Sequence, residues 1–93
     1  MIQTLRLVQA LRGAVSPNFR MVALAYENCK WRLIFILEEQ NPEDVDEIEE
    51  IGFEFTALQE TTINHEIDLT VTKEAIPWPD GSIRVVYRRR EGQ

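Results

Sequence analysis

Residues 41–60 read NPEDVDEIEEIGFEFTALQE, and the rest of the chain is organised around them. Asn41 is suited to cap a first helical turn, and Pro42 fits the first helical position, where no amide donor is needed. Glu43 and Asp44 fall at the positive end of the helix dipole. Val45, Ile48, Ile51, Phe55 and Leu58 then recur every three or four residues, the spacing of a stripe that faces a core. Asp46, Glu47, Glu49, Glu50 and Glu54 fall largely outside that stripe, so the segment predicts one amphipathic helix with a carboxylate outer face. Gly52 costs about 1 kcal/mol against alanine in mid-helix; it signals either a close approach to a sheet or a bend.

On the N-terminal side, Leu5, Val8 and Leu11, with Ile2 upstream, predict a first helix, and Gly13 stands where a left-handed cap would close it. A turn over residues 15–18, containing Pro17, leads into two segments rich in aromatic and β-branched residues, 19–26 and 31–37. The short polar link Glu27, Asn28, Cys29 and Lys30 between them predicts a hairpin. It lacks the Asn-Gly or Asp-Gly pair that would specify the turn type. Strict alternation puts Phe19, Met21, Ala23 and Ala25 on one face and Arg20, Val22, Leu24 and Tyr26 on the other. The second strand divides in the same way, Trp31, Leu33, Phe35 and Leu37 against Arg32, Ile34 and Ile36.

On the C-terminal side, Thr61, Thr62 and Asn64 link the helix to residues 65–73. There Ile67, Leu69 and Val71 alternate with Glu66, Asp68, Thr70 and Thr72, the pattern of a half-buried strand. Residues 74–81 contain IPWPDG, a turn in which two prolines bracket Trp78 as a lid over the core edge. Ile83, Val85 and Tyr87 face the core in a last strand, Arg84, Val86 and Arg88 face away, and residues 89–93 form a frayed tail. The order α-β-β-α-β-β is that of an α+β domain, a four-stranded sheet with two helices packed on one face. Strand order stays open at this point; if strands two and three are parallel neighbours, the crossover through the acidic helix is right-handed.

Ninety-three residues with 44% hydrophobic content make one domain over residues 1–93, with a single modest core. No apolar run is long enough for a membrane span, and the first residues lack a signal peptide's apolar centre, which predicts a cytoplasmic protein. A single cysteine, Cys29, excludes an internal disulfide and fits a reducing compartment. The net charge is −6, and twelve of the sixteen acids lie between Arg32 and Lys73, where no lysine or arginine occurs. Nucleic acid needs a continuous basic footprint and is excluded as the main partner; a basic protein is the natural one.

Single features carry little chemistry. His65, the only histidine, opens a strand with no serine or cysteine nucleophile near it, which reads as a surface or cap residue rather than a general base. Cys29 beside Lys30 reads as an incidental thiol, and Arg88, Arg89 and Arg90 as partners for neighbouring acids. The helix acids lack the loop glycine and alternating oxygens of a calcium site, so neither a metal nor a cofactor is expected. The carboxylate run itself is less easily dismissed as a solvated face. It has no interspersed lysines, so adjacent like charges cost the helix a few tenths of a kcal/mol per pair, a cost more readily tolerated where the surface meets a cationic partner.

The segment LRLVQALRGAVSPNFRMVAL (residues 5–24), the acidic NPEDVDEIEE (41–50) and the closing IPWPDGSIRVVYRRRE (76–91) resemble small bacterial immunity proteins of contact-dependent growth inhibition and related polymorphic toxin systems. The resemblance implies a non-enzymatic protein that binds and neutralises a cognate toxin domain, often a nuclease. On that reading Glu43, Asp44, Asp46, Glu47, Glu49, Glu50 and Glu54 supply the contact surface. Two other classes compete. Val22, Leu24, Tyr26, Ile34 and Ile36 would form an apolar outer patch, flanked by Arg20 and Arg32, that serves a homodimer or the main partner. Alternatively, His65 and nearby carboxylates would centre a small enzyme or ligand-binding domain, which requires a concave pocket at His65.

Overall fold

The computed structural model describes residues 2–11, 13–59, 64–76 and 83–89. Its elements follow the expected order: α1 (Ile2–Leu11), β1 (Phe19–Glu27), β2 (Lys30–Leu37), α2 (Pro42–Ala57), β3 (His65–Val71) and β4 (Ile83–Arg88). The sheet order is β3-β2-β1-β4, with β1 antiparallel to both neighbours and β2 parallel to β3. The fold is therefore α+β with a mixed four-stranded sheet, and α2 carries the parallel crossover from β2 to β3. The Trp78 turn, Glu60 to Thr62, Arg90 and the last three residues lie outside the described residues, as does the side chain of Ile2.

One cluster holds the layers together. Leu7, Ala10 and Leu11 of α1 and Ile48, Ile51 and Phe55 of α2 pack with Phe19, Val22 and Leu24 of β1 and Leu33, Phe35 and Leu37 of β2. Burying each large apolar side chain is worth about 1.5–3 kcal/mol, and Phe19 meets Phe35 edge to face at 6.4 Å. Both helices thus cover the same side of the sheet. The stripe read on α2 is right at its centre, with Ile48, Ile51 and Phe55 buried and Val45 and Leu58 half-buried. On α1 the expected stripe is corrected: Leu5 and Val8 are 62% and 42% exposed. The buried face is Leu7, Ala10 and Leu11, also spaced by three and four, and Gln3 and Arg6 beside it bond Gln59 at the end of α2.

Local chemistry sets the element ends. Asn41 accepts bonds from the amides of Glu43 and Asp44 at 2.9 and 3.2 Å, and Pro42 occupies the first turn. Gly13 has φ +77° and closes α1. The helix α2 is unbroken through Gly52, where a Cβ would stand 3.0 Å from Ile67 Cδ1; the glycine permits the close approach to β3. The hairpin turn left open by the sequence is a two-residue loop, since Glu27 pairs with Lys30. Asn28 and Cys29 have φ +53° and +61°, the sign pattern of a type I′ turn.

Strict alternation fails in β1. A bulge between Phe19 and Met21 adds one residue, Arg20, and reverses the facing of everything after it relative to Phe19. Phe19, Val22 and Leu24 consequently all point at the helices, opposite Leu37, Phe35 and Leu33. Met21, Ala23 and Ala25 line the other side with Ile36, Ile34 and Arg32. Arg20 is buried at 3% exposure and donates to the carbonyls of Thr72 and Glu74 at 2.7 and 2.8 Å. Arg88 donates to the Ile76 carbonyl and lies against Met21 Sδ. These two arginines tie the chain leaving β3 to the side of the sheet away from the helices.

Candidate functional site

The seven carboxylates expected to act together divide into three groups. Asp44 turns inward: it is 7% exposed and accepts bonds from Ser16 Oγ and Asn18 Nδ2, each at 2.9 Å. Asn18 is held in turn by the backbone of Glu39, donating to its carbonyl and accepting from its amide at 2.8 and 2.9 Å. Asp44 is therefore a clamp between the turn before β1 and the start of α2, and it is withdrawn from the outer face. Glu43, Glu47, Glu50 and Glu54, spaced four, three and four apart, form one row along the helix. All four are exposed. Glu47, Glu50 and Glu54 line a shallow groove whose other wall is Ala10, Gly13 and Ala14 at the end of α1. Asp46 and Glu49, also exposed, stand on the far flank of the helix.

Among the described residues none of these six exposed carboxylates takes part in an ion pair. Described pairs lie elsewhere, among them Arg32 with Asp68 and Glu27, Lys73 with Glu39, and Arg89 with Glu38. The Arg32 guanidinium is held in its charged form above its usual pKa, first by the hydrogen bond to Asp68 and then by that to Glu27. The chain's own described cations thus leave the α2 row unmatched. Among the described residues, only solvent and salt oppose its field.

The alternative patch is not one surface. Val22 and Leu24 are 0% and 2% exposed and belong to the helix-side core, whereas Ile34 and Ile36 face the opposite side and are half-buried. Tyr26 shares the helix side but sits at the hairpin end, 57% exposed, with its ring 4.7 Å from that of Trp31. The physical reason is the pairing register, in which Val22 stands opposite Phe35 and Ile34 opposite Ala23. Arg20 and Arg32 do not rim a patch either, since each is tied down as described.

His65 is half-buried at the start of β3. It lines a shallow notch with Glu49, Gly52, Phe53 and Ile67, which contains no serine or cysteine. Phe53 is 70% exposed, the most exposed of the large apolar side chains among the described residues, and sequence reading passed over it. The available signal was its phase: an apolar residue directly after Gly52, on the polar side of the helix. No helix among the described residues is long and apolar enough to cross a membrane.

Comparison with known proteins adds what geometry alone does not carry. A search of curated proteins finds no match. The model of the MafI2 immunity protein family matches residues 3–91, which span the whole of the described structure from α1 to β4 except its first residue. The chain belongs to the MafI2 immunity protein family, whose members are not enzymes and serve to neutralise a cognate Maf toxin.

Proposed function

We propose that this immunity protein neutralises its toxin by laying the exposed acids of α2 against a cationic cleft of the toxin domain. Glu43, Glu47, Glu50 and Glu54 form the centre of the contact, with Asp46 and Glu49 at its edge. The reading rests on one observation: a row of like charges, costing a few tenths of a kcal/mol per adjacent pair, has no internal counter-ion among the described residues. A nuclease fits this charge pattern best, because a site that holds phosphates is basic and an acidic helix competes for it. The resemblance of residues 5–24, 41–50 and 76–91 to immunity proteins of contact-dependent growth inhibition and related polymorphic toxin systems supports a toxin delivered from a neighbouring cell. The exposed free Cys29 accords with action in the cytoplasm.

Reversing Glu43, Asp46, Glu47 and Glu50 to lysine and measuring affinity for the purified cognate toxin domain tests the proposal. A loss of at least a hundredfold, about 2.7 kcal/mol, is expected with the fold intact by circular dichroism. An unchanged Kd would remove α2 from the interface.

A further inference from the structure

The strand β3 ends the sheet on its side, and among the described residues nothing pairs with its outer edge. His65, Ile67, Leu69 and Val71 stand opposite Trp31, Leu33, Phe35 and Leu37, and so face the helix side. Ile67 and Val71 are nevertheless still 37% and 38% exposed. Above Ile67, α2 makes its close approach at Gly52, and the next residue is the exposed Phe53. Phe53, Ile67 and His65, with Glu49 at the rim, line the notch between helix and strand edge. Among the described residues the two-layer packing is therefore short of a strand at this side: apolar groups of both layers border a space that one more strand would fill. On the opposite face of β3, Glu66 is exposed and Asp68 is bridged by Arg32.

We propose that an extended segment of the toxin adds to the open edge of β3 as a fifth strand, an apolar side chain entering the notch between Phe53 and Ile67. Flanking lysines or arginines of that segment meet Glu49 on the helix side and Glu66 on the other. The inference rests on toxin binding as proposed above and gives it a second part: the α2 row steers encounter and meets the cationic cleft, and the β3 edge adds a contact that slows dissociation. Charge favours this occupant over a second copy of the chain, which carries the same excess of acids, net −6. A two-fold pairing of β3 with itself, centred on Glu66, Ile67 or Asp68, places acid opposite acid, which destabilises a strand pair.

The test uses the full chain and the purified cognate toxin domain. Phe53→Ala, at a side chain exposed enough to spare folding, is expected to speed dissociation about tenfold or more with association nearly unchanged. Backbone amides of residues 66–71 are expected to gain hydrogen-exchange protection in the wild-type complex. A complex in which those amides exchange as they do in the free protein, or in which Phe53→Ala leaves dissociation unchanged, overturns the proposal. If charge changes in the α2 row still weaken binding in that case, the acidic-helix reading stands without it; if only the β3 edge responds, the edge is the interface and the acidic-helix reading falls. Self-association that protects the same amides in the absence of toxin assigns the edge to a second copy and also overturns it.

Discussion

The two sides of α2 carry the same residue chemistry and use it in opposite ways. At the inner side of its first turn, Asp44 has Ser16 and Asn18 for donors, and the carboxylate is bound up in the chain's own architecture. One residue earlier begins the row Glu43, Glu47, Glu50, Glu54, exposed and without an internal cation among the described residues. Charge count does not distinguish these groups; partnership does. The contrast teaches that a buried, satisfied acid contributes to folding, whereas a surface row without a counter-ion among the described residues weakens folding slightly, a cost that association with the toxin would offset on the proposed function.

The contrast can be broken by stability measurements. Asp44→Ala removes the acceptor for two hydroxyl and amide donors in a largely buried site and is expected to cost about 2–3 kcal/mol, read as a lower denaturation midpoint in urea at unchanged m-value. Converting Glu43, Glu47, Glu50 and Glu54 together to glutamine should act in the opposite direction. Relief of three adjacent repulsions outweighs the loss of the Glu43 charge at the positive end of the helix dipole and raises stability by a few tenths of a kcal/mol, most clearly at low salt. If the glutamine variant were less stable than the parent, the row would have an internal role and the division would fail.

Two smaller effects sharpen the comparison by testing backbone geometry away from the charges. Cys29 occupies the left-handed region at the second turn position, φ +61°, so Cys29→Gly is expected to gain about 1 kcal/mol by thermal melting without altering toxin affinity. Gly52→Ala sets a favourable helix propensity of about 1 kcal/mol against a Cβ 3.0 Å from Ile67 Cδ1. That methyl belongs to a partly exposed side chain on an edge strand, which can give way, and the net change is expected within about 0.5 kcal/mol.

Element order, the Asn41 and Pro42 helix start and the Gly13 cap follow from local signals, because each depends on a few neighbouring residues; the parallel pairing of β2 with β3 is only one of the orders the sequence leaves open. What escapes a linear reading depends on contacts distant in the chain. Asp44 looks like any first-turn acid until Ser16 and Asn18, 28 and 26 residues away, arrive beside it. The first helix offers two apolar spacings, Leu5 with Val8 and Leu7 with Ala10 and Leu11, and only packing chooses the second. The bulge at Arg20 is invisible to a period of two, and it alone suffices to move Val22 and Leu24 from an imagined outer patch into the core. Phe53 was legible in principle, since its phase contradicts the polar side on which it falls.

The central claim, that the unmatched α2 row serves to meet a cationic toxin, is tested most directly by the association rate with the cognate toxin domain across ionic strength. For the parent chain the rate is expected to fall at least tenfold between about 20 and 500 mM salt, whereas the four-glutamine variant starts slower and varies little. Identical salt dependence for the two proteins would contradict the account.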